Sequence, residues 1–291
     1  MITELEFLVL GSGTSAGVPS IGCDCEVCHS KDTRDRRLRT ASCLRFRDSS
    51  GQARIILLDT SPDLRQQALT HKLDRCDGIF YTHGHVDHIF GLDEVRRFNV
   101  VMQSPIDIYA EASTLKGLGR VFKHIFESAS NTNPSFVANL IANELEVGQR
   151  VDRFGLGFTP IRLMHGRLPI LGFRIEALTA DGQVAAEQPG PLPLAYCTDV
   201  SAIPPETWPL LTGLETLILD MLRHRHHPTH LNLDQATVIA DQIGASATWF
   251  VHMGHEIAHA AVDQELPEGQ ALAYDGLRLP KVGPVSSQTD L

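Results

Sequence analysis

Four potential metal ligands stand within six residues in His83-Gly84-His85-Val86-Asp87-His88, and this run constrains the fold more than any other stretch of the chain. Imidazole suits zinc, iron and manganese, while carboxylate suits harder ions. The spacing lets His83 and His85 face one ion while Asp87 and His88 face a neighbour. The apolar stretch 78–81 just before the run reads as a buried strand that delivers the chain into a His-rich loop. The fold must therefore carry this strand to an open edge and end it in a tight turn.

Further strand patterns fall at 5–10, 42–47, 54–59, 106–109, 159–164, 172–177, 194–197, 216–219 and 248–251. Asp48-Ser49-Ser50-Gly51 joins two of them as a hairpin turn. Helices are expected at 62–73, with Ser61 as N-cap, and at 112–126, 204–211 and 232–243. Residues 128–143 are polar, with a partial helical pattern and no assigned element. Strand–helix alternation with consecutive-strand hairpins predicts a mixed α/β sandwich, not a purely parallel sheet. His83, His165, Asp199, Asp220 and His252 each follow the C-terminal end of an expected strand, so five strand ends are expected to converge on one edge.

The 291 residues, 43% hydrophobic and 21% charged, suffice for a substantial core, and one domain over 1–280 is expected with a disordered tail over 281–291. The net charge of −10 argues against general binding to nucleic acid or membrane surfaces. It still allows a phosphate substrate, because bound metal ions supply positive charge locally. The N-terminus does not read as a signal peptide, and no apolar run approaches the ~18 residues of a membrane span. A soluble, cytoplasmic protein is expected. The sequence leaves the oligomeric state open, a homodimer included.

Three of the six cysteines lie in Cys23-Asp24-Cys25-Glu26-Val27-Cys28. Clustered thiols in a cytoplasmic setting favour metal binding over a disulfide framework. A structural zinc takes four ligands, so the fourth must come from elsewhere. His255, three residues after His252, is the candidate. Cys43, Cys76 and Cys197 read as small buried apolar residues.

The HxHxDH run resembles the hallmark of the metallo-β-lactamase superfamily, and the resemblance extends over about residues 1–280. It implies an αββα sandwich of two mixed sheets flanked by helices. It further implies that His83, His85 and His165 hold one divalent ion, that Asp87, His88 and His252 hold another, and that Asp199 bridges them. Asp59 matches an acidic motif that orients ligands. Two adjacent cations, zinc or manganese, would turn a bridging water into a hydroxide nucleophile and neutralise phosphoryl charge. Asp87 is thereby counted with the catalytic residues. His230 is the candidate general acid, its alternative being an ordinary surface histidine.

The cysteine knuckle and His255 narrow the resemblance to PhnP-type phosphodiesterases, in which a structural zinc pins the N-terminal loop beside the active site. The expected substrate is a small cyclic nucleotide or cyclic ribose phosphate, with no extended nucleic acid and no membrane partner. Two other readings stay open: another hydrolase of this fold, such as an RNA-processing nuclease or a thioesterase, and a non-hydrolytic cofactor-biosynthesis protein similar to PqqB. A nuclease needs a basic docking segment, and Arg34-Asp35-Arg36-Arg37-Leu38-Arg39 is short and reads as a helix surface. Arg223-His224-Arg225-His226-His227 is either a solvated basic loop or a phosphate or base contact at the mouth of the site. Gly11-Ser12-Gly13-Thr14-Ser15-Ala16-Gly17 is a poor dinucleotide fingerprint, because no helix follows it.

Overall fold

The computed structural model describes residues 2–279 apart from 128, 130 and 133–135. The expected tail over 281–291 lies outside the described residues, as does part of the unassigned stretch 128–143.

Strands β1 (Thr3–Gly11), β2 (Ala41–Arg47) and β3 (Ala53–Leu58) form an antiparallel meander. The turn between β2 and β3 is closed by Asp48, whose carboxylate accepts from Ser50 N, Gln52 N and Arg54 Nε. Helix α1 (Leu64–His71) leads to β4 (Gly78–Phe80), and the helices α2 (Val86–Ile89) and α3 (Arg96–Met102) lead to β5 (Ile106–Ala110). Helices α4 (Ala112–Val121) and α5 (Lys123–Phe126) precede β6 (Leu140–Glu144). The second half begins with β7 (Val151–Arg153), β8 (Leu156–His165), β9 (Leu168–Ala177) and β10 (Leu194–Cys197). It continues with β11 (Thr216–Asp220), α6 (Leu233–Ile243), β12 (Ala247–Val251), α7 (His259–Glu265), β13 (Gln270–Leu272) and β14 (Arg278–Leu279).

The strands form two seven-stranded mixed sheets, in the orders β14-β1-β2-β3-β4-β5-β6 and β13-β12-β11-β10-β9-β8-β7, so the C-terminal β14 crosses back to pair with β1 of the first sheet. Alternation along the strands explains the layers. In β1, Phe7 and Val9 face the partner sheet, while Leu8 and Leu10 face the helices. In β11, Ile218 points between the sheets, and Leu217 and Leu219 pack toward the α6 side. Phe80 locks the sheets together, stacking on Tyr109 at 4.4 Å and on Phe158 at 4.1 Å. These three cores make the expected αββα sandwich.

The differences from expectation are local. The helix expected at 204–211 is only a 3-10 turn, Trp208–Leu211, because Pro204, Pro205 and Pro209 lack the N–H groups of an α ladder. The helix expected at 112–126 breaks at Phe122, whose backbone (φ −107°, ψ 46°) is not helical. Ser61 does not cap α1: Asp63 holds the N-cap, and the Ser61 hydroxyl accepts from Asp63 N and donates to Gln67. The His-rich run is no simple turn, since His85 stands at the N-cap of α2 and helical structure continues to Met102.

The Arg34–Arg39 run is not a helix surface. Thr33–Asp35 is one 3-10 turn, and Arg37 is only 2% exposed. Its guanidinium pairs with Asp35 at 3.0 Å and donates to the carbonyls of Gly254 at 3.0 Å and Ile257 at 2.7 Å. Asp35 also accepts from His259 N. Arg34 and Arg39 are ion-paired to Asp32 and Asp63. These charges tie segments of the chain together instead of forming a docking strip.

Candidate metal centres

The two sheets meet at an edge where several strands end. Asp59 follows β3, and the His83–His88 run follows β4. His165 closes β8, Asp199 follows β10, Asp220 closes β11 and His252 follows β12. Asp59 (φ 63°), Asp199 (φ 60°) and His252 (φ 64°) all adopt left-handed backbone. That conformation costs an L-residue roughly 1–2 kcal/mol and sharply redirects the chain at each strand end. Gly91 lets the helical segment after the run lie flat on this edge: a Cβ there would come within 2.3 Å of the Ser61 carbonyl.

The side chains gather in two sets whose ligand atoms lie within 4.8 Å of one another: His83, His85 and His165, then Asp87, His88, Asp199 and His252. Asp199 also lies within that distance of His165 and His230, so it stands between the sets. All of these residues are buried except His85, which faces the open side. Three of the imidazoles are held from behind. His83 Nδ1 lies 3.0 Å from Thr82 Oγ1, His88 Nδ1 2.8 Å from Asp59 Oδ2, and His165 Nδ1 2.7 Å from the Thr229 carbonyl. Fixing Nδ1 in this way directs Nε2 into the pocket, the arrangement usual for metal-ligating histidines.

These residues fit a pair of cations. Among the described residues, His83 Nε2, His88 Nε2 and both nitrogens of His252 are buried without a hydrogen-bond partner, which buried nitrogens rarely are. His88 Nε2 approaches Asp199 at 3.1 Å and Asp87 at 3.4 Å, and His252 Nε2 approaches the same two at 3.3 and 3.6 Å. Ligands about 2.1 Å from a tetrahedral ion stand roughly 3.4 Å apart. The electrostatics agree. Burial opposes a charge on His88, but Asp199 and Asp59 outweigh it and hold its pKa well above the usual imidazole range. Burial likewise opposes ionisation of Asp199, but His252 and His88 hold its carboxyl well below the usual range. His83 is held low by burial and by His88. Protonated imidazoles thus balance the carboxylates at positions a cation would take over.

His230 sits beside both sets, its ring 4.6 Å from that of His165 and 4.7 Å from that of His252. Asp220 is fully buried and backs it, with Oδ1 3.1 Å from His230 Nδ1. The backbone N–H groups of Leu231 and Asp199 hold Asp220 in turn. Sequence reasoning placed Asp220 at a strand end among the candidate ligands but did not link it to His230; an acid ten residues before a candidate proton donor was the available signal.

The thiols of Cys23, Cys25 and Cys28 gather with His255. His255 Nδ1 is 3.2 Å from Cys23 Sγ and 3.4 Å from Cys25 Sγ. A tetrahedral N/S site fits this donor set. The Cys28 N–H, followed by His255, draws the Cys25 thiol down to about 6, whereas burial pushes Cys28 up to about 11. The other three cysteines are buried free thiols.

In the 223–227 run, Arg223 and Arg225 both pair with Glu256, and Arg223 also donates to the carbonyls of Arg225 and His226. His227 faces His230, with ring centroids 5.2 Å apart.

The sequence model for the beta-lactamase superfamily domain matches residues 54–253. An octanoyltransferase of Porphyromonas gingivalis is 35% identical over 275 residues, which cover 93% of this chain and 50% of that protein, so the chain spans half the length of this relative. Coenzyme PQQ synthesis protein B of Methylobacterium nodulans is 27% identical over 278 residues, covering 86% of this chain and 80% of that protein. Among solved structures, a diphosphatase from the PhnP family superposes with a TM-score of 0.82 at 38% identity, over 96% of this chain and 98% of its own. Zinc-bound PqqB from Methylobacterium extorquens superposes at 0.69 with 19% identity over 94% and 99%, a likeness of fold alone. No helix among the described residues is long and apolar enough to cross a membrane.

Proposed function

The chain belongs to the beta-lactamase superfamily, and we propose that within it the protein is a two-metal hydrolase of small phosphodiesters, cyclic nucleotide or cyclic ribose phosphates and related diphosphate esters. The observation that carries this reading is the convergence of seven ligand side chains in two adjoining sets, with a backed imidazole, His230 on Asp220, beside both. The 38% identity to a PhnP-family diphosphatase over nearly both chains supports it. The octanoyltransferase name belongs to a protein twice as long as the matched region, so it supports no acyl-transfer reading here.

His83, His85 and His165 would hold one ion, Asp87, His88 and His252 the other, with Asp199 between them. When bound, such a pair supplies a nucleophile from water at neutral pH and neutralises charge on the phosphoryl oxygens. The chain's own residues do the rest. Asp59, Thr82 and the Thr229 carbonyl keep three imidazoles in one tautomer and one orientation. Asp220 accepts from His230 Nδ1, so Nε2 is the nitrogen able to deliver a proton to a departing oxygen. A third ion, a zinc on Cys23, Cys25, Cys28 and His255, would hold the N-terminal loop against the loop that follows β12.

His83→Ala should abolish hydrolysis of bis(p-nitrophenyl) phosphate by the metal-loaded protein while far-UV circular dichroism stays that of the wild type. Turnover at the wild-type rate in this variant would overturn the assignment. A parallel screen of cyclic phosphodiesters, linear dinucleotides and thioesters separates this reading from a nuclease or thioesterase of the same fold.

A further inference from the structure

Strands β8 and β9 are joined by a two-residue turn, Gly166-Arg167, since His165 pairs with Leu168. Gly166 has φ +62°, and a Cβ there would meet the Thr229 side chain at 2.8 Å. The turn is therefore packed on the segment that carries His227 and His230, and the His165–Thr229 hydrogen bond fastens the same two segments. Arg167 is exposed on this turn, two residues from a candidate ligand. Among the described residues it has no hydrogen bond or ion pair. Its neighbours differ: Arg162 is paired with Glu111, Arg174 with Glu176, and Arg223 and Arg225 with Glu256.

His227 lies on the segment against which this turn packs. Its Nδ1 accepts from Thr229 N at 3.3 Å and lies 3.1 Å from Thr229 Oγ1. That fixes the neutral tautomer with its proton on Nε2, so the ring offers one N–H donor. The rings of His165, His230 and His227 run in sequence from the pocket to the rim, 4.6 and 5.2 Å apart. In a chain of net charge −10, an uncompensated guanidinium and a fixed N–H donor on one rim make a place for an anion.

We propose that Arg167 and His227 form a second phosphate subsite beside the metal pocket, which makes the preferred substrate a diester of diphosphate whose leaving group is itself a phosphate. This rests on the phosphodiesterase reading above. Water adds across the P–O–P bridge. Its oxygen bonds to the phosphorus in the pocket, the bridging P–O bond breaks, and the bridging oxygen leaves with the electron pair on the second phosphate. Two monophosphate esters result, and the protons of water pass to them and to solvent. A phosphate monoester has its second pKa near ~6, so it departs at neutral pH without a proton from His230. It needs compensation for its negative charge, which Arg167 and His227 supply. A ribose hydroxyl leaving from a cyclic or linear diester needs the proton instead.

The test compares diadenosine diphosphate with adenylyl-adenosine, which joins the same nucleosides through one phosphate. Metal-loaded wild type should favour the diphosphate in kcat/KM. Arg167→Ala and His227→Ala should each lower that value by about ten- to a hundred-fold, and lower it far less for the single-phosphate compound. His227→Gln, which keeps an N–H donor, should retain more activity than His227→Ala. Calorimetry gives a readout free of turnover: α,β-methylene-ADP should bind more tightly than AMP, and the gap should close in both alanine variants. Equal losses on the two substrates, no losses, or a wild type without preference would overturn the subsite. Wild type inert toward both compounds and toward bis(p-nitrophenyl) phosphate would overturn the phosphodiesterase reading, while the binding comparison would still decide the subsite.

Discussion

The pocket between the sheets and the cysteine knuckle both gather metal-ligand side chains, but they are built differently. The pocket draws its residues from the ends of strands in both sheets, and nearly all of them are buried. The knuckle is a loop with two of its three thiols partly exposed, closed by a histidine far away in sequence. Strand ends held by two sheets keep their positions without an ion, whereas a loop of this kind would depend on a bound ion for its shape. On the proposed function, chemistry would belong in the first region and mechanical support in the second. The two are joined through one short segment, for His252 and His255 are three residues apart and Arg37 grips the carbonyls on either side of His255.

That comparison breaks most sharply at His230, which belongs only to the pocket. His230→Ala should slow hydrolysis of a 2′,3′-cyclic nucleotide by about 10²–10⁴-fold with unchanged metal content. Bis(p-nitrophenyl) phosphate should suffer much less, because p-nitrophenolate leaves unaided. Equal losses on both substrates would mean that His230 binds substrate or metal instead of donating a proton. At the knuckle, Cys25→Ser should remove about one equivalent of zinc and lower the melting temperature by several degrees, with a smaller loss of activity. Unchanged zinc content would erase the distinction between the two regions.

The smallest effect concerns the seam behind both. Burial pushes the Asp275 carboxyl up to about 6, against hydrogen bonds donated by Ser12 N, Ser12 Oγ and Leu38 N. A carboxyl whose folded-state pKa is raised adds stability below its unfolded value, and that contribution is lost as pH rises through about 6. Asp275→Asn does not titrate, so its destabilisation should be greatest near pH ~4 and smaller by about 2 kcal/mol near pH ~7.5. Urea unfolding of both proteins across that range checks this, and a difference independent of pH would refute it.

The sequence was most readable where one rule dominated. The run 194–197 is fully buried and stopped where its apolar residues stop. The convergence of strand-end residues was legible because buried strands deliver whatever follows them to one edge, and His83, His165, Asp199 and His252 do meet there. The helical stretch from Val86 to Met102 was not legible, because its pieces are short and its first turn is made of pocket residues. Arg37 misled for another reason: a run of charges looks solvated until its partners are known, and two of its three partners are carbonyls more than 200 residues away. The position of His227 against His230 depended on a turn whose geometry no periodicity encodes.

The closure of the knuckle by His255 also sets an order of events during synthesis. Cys23 and His255 are 232 residues apart, so the three thiols emerge from the ribosome long before the histidine that completes their set. At roughly 5–20 residues per second that delay is about 10–45 s. A nascent chain in that interval carries three neighbouring thiols, open to oxidation or to a metal other than the one the finished site would hold.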